Sequence, residues 1–542
     1  MIAISGCGSG GPAADLVLYG GQVLTINETI PMAEAVAVIG DRIAWMGSSG
    51  EAKGWIGEDT RVIDLDGRLV IPGIIDAHVH FLSGGLRLMQ LDCREARSSE
   101  ELVGLVKNKA ARLSKGEWIT GGGWDESLWD SPKLPDRHLL DRAAPNNPVK
   151  LSRVDGHSCV VNSLALKLSR IDRNTPDPGT GKIDRESSTG EPTGVLREAA
   201  QGLIRGIPDP GPEQKEKAME LALAEARRLG VTGVHAIGGP GELKLFQKFL
   251  DRDKLTLRAY FITSFSDAYD YLNPARDLGI TRGFGGDFIR VGCFKDFIDG
   301  SMGSRTAFLF ESFSDEPGNV GIPEMTQRRL NNICRRAAET NSQPAVHAIG
   351  DRGVNMVATA YQKAGLTKAD RPRIEHTQIV RLEDMTLLAE SGAVASMQPT
   401  HATSDMRWAE TRLGPERVKG AYAWKSILDA GVPVAFGTDW PVEPLNPMLG
   451  LYAAVTRQDA DGNPAGGWYP EQCLTLREAI RLYTAGAAYA AFWETDTGSI
   501  TPGKLADMVV LSQNILELPP SEILKTQADF TILGGRIVHE AD

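Results

Sequence analysis

The feature that most restricts the fold is an alternation running through the middle of the chain. Short β-branched runs recur there: "GIIDAHVH", "VTGVHAI", "LRAYFIT", "IRVGCFK", "PAVHAIG", "RIEHTQI", "AVASMQP" and "VPVAFGTD". Amphipathic helical stretches separate most of them. One, "PEQKEKAMELALAEARRLG", carries Pro212 at its first turn and Gly230 as its stop. Strands alternating with helices call for a parallel sheet covered by helices. Eight such strands fit a (β/α)8 TIM barrel, here expected over residues 73–494.

One connection is too long for a barrel loop. About 150 residues separate the first run from "VTGVHAI", and ordinary connections are far shorter. An inserted subdomain is expected over 82–211, after barrel strand 1. The two ends of the chain resemble each other: "LYGGQVL" near the start and "ILGGRIV" near the end share a Gly-Gly pair between apolar pairs. Both read as strands joined by a tight turn. Gly40-Asp41 marks another two-residue hairpin. The matched pattern favours one composite β-sandwich formed by both termini, residues 15–72 with 495–542. Residues 1–14 read as a disordered tether, or as the remnant of a truncated lipoprotein signal, because Ile4-Ser5-Gly6-Cys7 resembles a lipobox.

Composition excludes several classes. The net charge of −12 argues against nucleic acid, which needs a basic face. The chain has no apolar run of the ~20 residues that a transmembrane span requires. Its six cysteines (Cys7, Cys93, Cys159, Cys293, Cys334, Cys473) are scattered without a Cys-x-x-Cys pair, the pattern of reduced thiols. "GGGWD" and "GFGGD" read as turn glycines outside any strand–G-x-G-x-x-G–helix context, so nucleotide binding is rejected.

Nine histidines serve the whole chain, and two of them, His78 and His80, end the first strand. Residues i and i+2 of a strand face the same way, so both imidazoles converge at the strand's C-terminal end, spaced to hold one metal ion. Alone, His-x-His is a common accident. Four other strands, the fourth, fifth, sixth and eighth, end on Lys295, His347, His376 and Asp439, at the rim where barrel enzymes place their chemistry. Each has a bland reading: a hydrogen-bonded core histidine, a solvated lysine, a helix-capping aspartate. A charged lysine has no lone pair for a metal. Burial among cations favours its neutral form, and a neutral amine can add carbon dioxide to give a carbamate that bridges two metals.

With "PGIIDAHVHF", "FKDFIDGSMGSRTA", "VHAIGDRGV", "RIEHTQIV", "GTDWPVEPLNP" and "GSITPGKLADMVVL", the chain resembles the amidohydrolase superfamily, specifically amidohydrolase family 3, the YtcJ-like group that includes N-substituted formamide deformylases. The resemblance implies that His78, His80 and Asp439 bind one metal, that His347 and His376 bind a second, and that Lys295 bridges both as its carbamate. The implied cofactors are two divalent ions, zinc by expectation. The implied function is hydrolysis of a linear C–N bond, an amide, N-acyl or N-formyl bond, by metal-activated hydroxide, with Asp439 as the catalytic proton carrier.

Competing readings are a cyclic amidase or deaminase on the same scaffold, a lactonase or phosphotriesterase, and a binding protein with a disabled site. Trp124, His157, Arg305, His401 and Trp440 are candidate substrate contacts. Trp129 is a further aromatic of the insertion. Hydrophobic packing or support of the ligands competes for each of these. His235 reads as structural, and His138 and His539 as surface residues. The expected partner is a small-molecule amide. A homodimer is compatible with the chain, although no interface is marked. As written the chain reads as cytoplasmic; the alternative is a periplasmic lipoprotein anchored through Cys7, if the true start lies upstream.

Overall fold

The computed structural model describes residues 13–126, 129, 131, 133–153, 158–178, 181–264 and 272–541. Cys7, most of the 1–14 segment and His157 lie outside them. The chain divides into two compact units, residues 1–82 with 222–542, and residues 83–221.

The first unit contains the expected barrel. Its strands are β1 Ile74–Val79, β2 Val231–Gly238, β3 Arg258–Thr263, β4 Ile289–Phe297, β5 Gln343–Ala348, β6 Arg373–His376, β7 Val394–Met397 and β8 Val434–Phe436. Each pairs in parallel with the next, from β1 through to β8. The ring nearly closes between β8 and β1. At that seam the Asp439 N–H donates to the His78 carbonyl (2.7 Å) and the His80 N–H to the Trp440 carbonyl (2.8 Å). Ile75, Ala77, Tyr260, Ile262, Cys293, Ala345, Val394 and Ala435 pack with Ala487, Ala488, Ala490, Ala491 and Trp493. On β1, therefore, odd positions join this apolar cluster, and Asp76, His78 and His80 face the other way.

The same unit contains two further sheets. One runs Arg42–Gly47, Ala35–Ile39, Leu16–Tyr19, Arg61–Asp64; the other runs Arg536–Glu540, Ala528–Leu533, Met508–Leu511, Leu69–Pro72, Gln22–Leu24, Met32–Ala33. Strand alternation explains the packing of Ala35–Ile39. Val36 and Val38 enter a core shared with Leu16, Leu18, Val70, Met508, Val510 and Ile532, whereas Ala35 and Ala37 line a second, smaller cluster with Val17 and Ala52. Residues from both ends of the chain thus fill one core.

The two Gly-Gly pairs behave differently. Gly534-Gly535 turns a hairpin, with Leu533 opposite Arg536. Gly20-Gly21 instead carries the chain from one sheet to the other. Close packing calls for glycine there: a Cβ on Gly21 would lie 2.4 Å from the Arg68 carbonyl oxygen and 2.6 Å from Leu65 Cβ.

The second unit is built on its own six-stranded sheet, in the order Gly181–Arg185, Pro192–Glu198, Ser158–Val161, Val149–Arg153, Ile119–Trp124, Leu91–Asp92. Gly121, Gly122 and Gly123 lie in the strand Ile119–Trp124 and do not form the turn that the sequence suggests. Close approach explains their small size. A Cβ on Gly121 would lie 2.0 Å from the Leu91 carbonyl oxygen, and one on Gly122 would lie 2.2 Å from that of Ser152. The five described cysteines are free thiols. No helix among the described residues is long and apolar enough to cross a membrane.

Candidate metal centre

His78 is fully buried near the end of β1, and His80 follows on the same face. Across the seam, Asp439 stands just beyond β8 with φ 59°. This left-handed backbone is unusual for a residue with a Cβ and is the kind of strain found at functional sites. Its Oδ1 lies 3.6 Å from His78 Nε2 and 3.4 Å from His80 Nε2. Lys295, on β4, brings Nζ to 3.2 Å from His78 Nε2.

β5 and β6 supply the next two rings. His376 stacks obliquely on His78 at 4.8 Å between centroids and meets His347 edge-on at 4.5 Å. Strand alternation would turn His376 away from the face of its neighbour Glu375. A φ of 74° at His376 breaks that alternation, and both residues reach His78. One donor atom each from His78, His376 and Asp439 lies within 4.8 Å of the others, a grouping able to hold a metal ion.

Hydrogen bonds orient the rings. His376 Nδ1 lies 2.9 Å from Gln398 Oε1, which leaves Nε2 for other partners. His347 differs: its Nε2 donates to the Gly300 carbonyl at 3.1 Å, so Nδ1 is the open nitrogen. Asp76, two residues before His78, accepts from the Thr438 hydroxyl (2.6 Å) and from the main-chain N–H groups of Thr438 (2.9 Å) and His78 (3.1 Å). It thereby ties the two seam strands together.

Burial dominates the electrostatics. It pushes the Asp439 carboxyl up to about 7, against the opposing pull of Lys295. Burial, and secondarily Lys295, bring His80 down to about 4 and His347 to about 3. His78 and His376 are held well below the ordinary imidazole value for the same leading reason. Burial also lowers the Lys295 ammonium, opposed by Glu375 and Asp439. The rings are thus neutral and hold lone pairs, and the lysine is biased toward its amine form.

The remaining candidates fall in several places. His401 stacks on His376 at 6.0 Å, and its Nε2 lies 3.8 Å from Asp439 Oδ2. Trp440 is buried with its ring edge-on to Phe81. Arg305 forms a bidentate pair with Asp315, at 3.2 Å from Nε and 2.7 Å from Nη2. Trp124 is fully buried in the core of the second unit, its indole N–H donating to the Leu151 carbonyl at 3.1 Å, and Trp129 packs beside it. His235 is a buried partner of Arg373.

Sequence reasoning missed Arg373, Glu375, Gln398 and Asp299. The carboxylate of Asp299 accepts from the N–H groups of Phe308, Ile349 and Gly350 and ties the loop after β4 to the residues that follow β5. A usable signal existed for one pair. Arg373 and Glu375 are charges at i and i+2 in a strand whose neighbours, β5 and β7, contain no Asp, Glu, Lys or Arg, and a charge among such strands needs a buried partner.

The arrangement fits a divalent ion. Asp439 Oδ1 is buried with no hydrogen-bond partner among the described residues, and an orphaned carboxylate oxygen facing imidazole nitrogens is costly unless a cation completes it. Imidazole and carboxylate together are the donors that suit zinc and its neighbours.

Comparison with known proteins gives the family. A family model described as "Amidohydrolase family" matches residues 61–539. Protein LONG AFTER FAR-RED 3 of Arabidopsis thaliana is 34% identical, over 93% of this chain and 88% of its own length. An N-substituted formamide deformylase of Arthrobacter pascens is 27% identical, over 97% of this chain and 98% of its own. An uncharacterized metal-dependent hydrolase from Pyrococcus furiosus superposes with a TM-score of 0.73 at 28% identity, covering 93% of this chain and 99% of that structure.

Proposed function

The chain belongs to the amidohydrolase family, and on that premise we propose that it is a metal-dependent hydrolase of a linear carbon–nitrogen bond, an N-acyl or N-formyl amide. The observation that carries this reading is the buried Oδ1 of Asp439, which has no hydrogen-bond partner among the described residues and faces His78 and His80. His78, His80 and Asp439 would hold one ion, and His347 and His376 a second. Lys295, carboxylated on Nζ, would stand between them. When bound, such ions supply Lewis acidity, which polarises a carbonyl and makes water reactive near neutral pH.

Asp439 moves the proton. Burial favours the protonated form of its carboxyl, which suits a group that takes up a proton and gives it back. The water oxygen bonds to the carbonyl carbon, the C–N bond breaks, and Asp439 passes the water's proton to the departing nitrogen. A carboxylic acid and an amine leave. His401 offers a buried Nε2 with no hydrogen bond among the described residues, placed beside Asp439 to bond a substrate oxygen. The similarity to a formamide deformylase supports a linear amide over a ring substrate.

The test is a panel assayed with zinc-loaded full-length protein: N-substituted formamides, N-acyl amines, cyclic imides, aminopurines, lactones and phosphotriesters. Turnover concentrated in the first two classes is the expected result. Ammonia release from aminopurines, or ring opening alone, would transfer the assignment to a deaminase or cyclic amidase. Preference for lactones or phosphotriesters would make it an esterase-type hydrolase. Bound zinc without any turnover would leave a binding protein.

A further inference from the structure

Two fully buried charges, Arg373 and Glu375, take no part in the chemistry above. Burying an ion pair is expensive, and apolar replacements are often as stable, so stability alone is a weak reason for the pair. We propose that it is a positioning unit for His78: it holds the ring with its proton on Nδ1, so that Nε2 presents a lone pair toward Lys295 and Asp439. The inference rests on reading His78 as a ligand.

The guanidinium is held from four strands. Nε and Nη2 donate to Glu375 at 2.6 and 3.2 Å. Nη2 also reaches the Ala77 carbonyl (2.8 Å) on β1 and Ser396 Oγ (3.2 Å) on β7, and Nη1 lies 2.7 Å from His235 Nδ1 on β2. A plane fixed this way fixes the carboxylate it grips. Glu375 Oε2 then meets His78 Nδ1 at 2.5 Å. A carboxylate paired with a guanidinium only accepts, so the proton sits on Nδ1. The opposite side of the ring is compatible with the same tautomer. Lys295 Nζ lies 3.2 Å from Nε2 and can donate to it when Nε2 is bare. The Ala77 contact extends the hold to the main chain immediately before His78.

The test uses the full chain with isotope-labelled histidine rings, stripped of metal. Long-range nitrogen–proton correlation spectra distinguish the tautomers, and the His78 signal is assigned by its loss in His78→Gln. The wild type should show Nδ1–H. In Glu375→Gln, Arg373 takes the amide oxygen, the NH2 group faces Nδ1, and the proton should move to Nε2. Zinc affinity by chelator competition should fall by about ten- to a hundredfold. Nε2–H in the wild type overturns the proposal, as does a folded Glu375→Gln protein with unchanged tautomer and zinc affinity. Should that variant not fold, Glu375→Asp replaces it; a zinc affinity equal to the wild type's would then overturn the proposal. Zinc failing to bind the wild type at all would remove the hydrolase reading and leave the tautomer result standing.

Discussion

At the scale of single residues, the site is a set of groups whose charged forms burial disfavours. Asp439 and Lys295 both lean toward their neutral forms because charge is costly where they sit. Asp439→Asn should therefore lower amide turnover by about 10²–10⁴-fold and leave the melting temperature equal or higher, since the amide avoids the cost of a buried charge. Retained turnover in steady-state assays would remove Asp439 from proton transfer. Lys295→Ala should lower zinc per chain, measured by mass spectrometry, with partial recovery in short carboxylic acids. Full zinc occupancy in that variant would contradict a bridging role.

Glu242 shows the same physics away from the rings. Burial raises its carboxyl from 4.5 to about 7, although it accepts from the Leu82 N–H. A raised acid binds its proton more tightly in the folded state, so its contribution is fully present below 4.5 and is lost as pH rises through 7. Denaturant unfolding on either side of that window should show wild type losing on the order of 3 kcal/mol relative to Glu242→Gln. Parallel pH profiles for the two proteins would count against a part-buried, proton-holding Glu242.

At the scale of elements, the barrel seam concentrates the function. β8 is only three residues long, and the chain beyond it returns to β1 through main-chain bonds at Asp439 and Trp440. Gly437 makes that approach possible: a Cβ there would lie 2.6 Å from both Asp76 Oδ1 and His78 N. Backbone cannot yield as a flexible side chain would, so Gly437→Ala should cost about 1–3 kcal/mol in unfolding free energy. An unchanged melting temperature would show slack in the seam. The strand-end pattern was legible because alternation carries His78 and His80 to one face. The left-handed turns at His376 and Asp439 were not, because they depend on the strands beside them. The Gly-Gly pairs teach the same lesson: the same dipeptide bends a hairpin at one end and switches sheets at the other.

At the scale of the whole molecule, the ends of the chain are interdependent. Met508–Leu511 pairs with Leu69–Pro72, and Val510, Met508 and Ile532 share a core with Leu16, Val36 and Val70. Ending the chain after Thr495 would remove those C-terminal strands and expose that core and a sheet edge. The truncated protein should be recovered only as aggregate; a soluble product melting like the full chain would show that the N-terminal strands suffice.

What the sequence determined by itself was periodic or local: eight strand-and-helix alternations that require a covered parallel sheet, and polar residues at strand ends where a barrel opens. Those follow from the spacing of side chains along one strand or helix, which needs no knowledge of neighbours. Only the tertiary structure decided which groups meet. Glu375 reaches His78 across 297 positions of chain, Gln398 orients His376 from the end of the next strand, and Trp124 turns into a core of its own unit. A hydrogen bond between distant residues depends on the path of everything between them, and no local spacing encodes it.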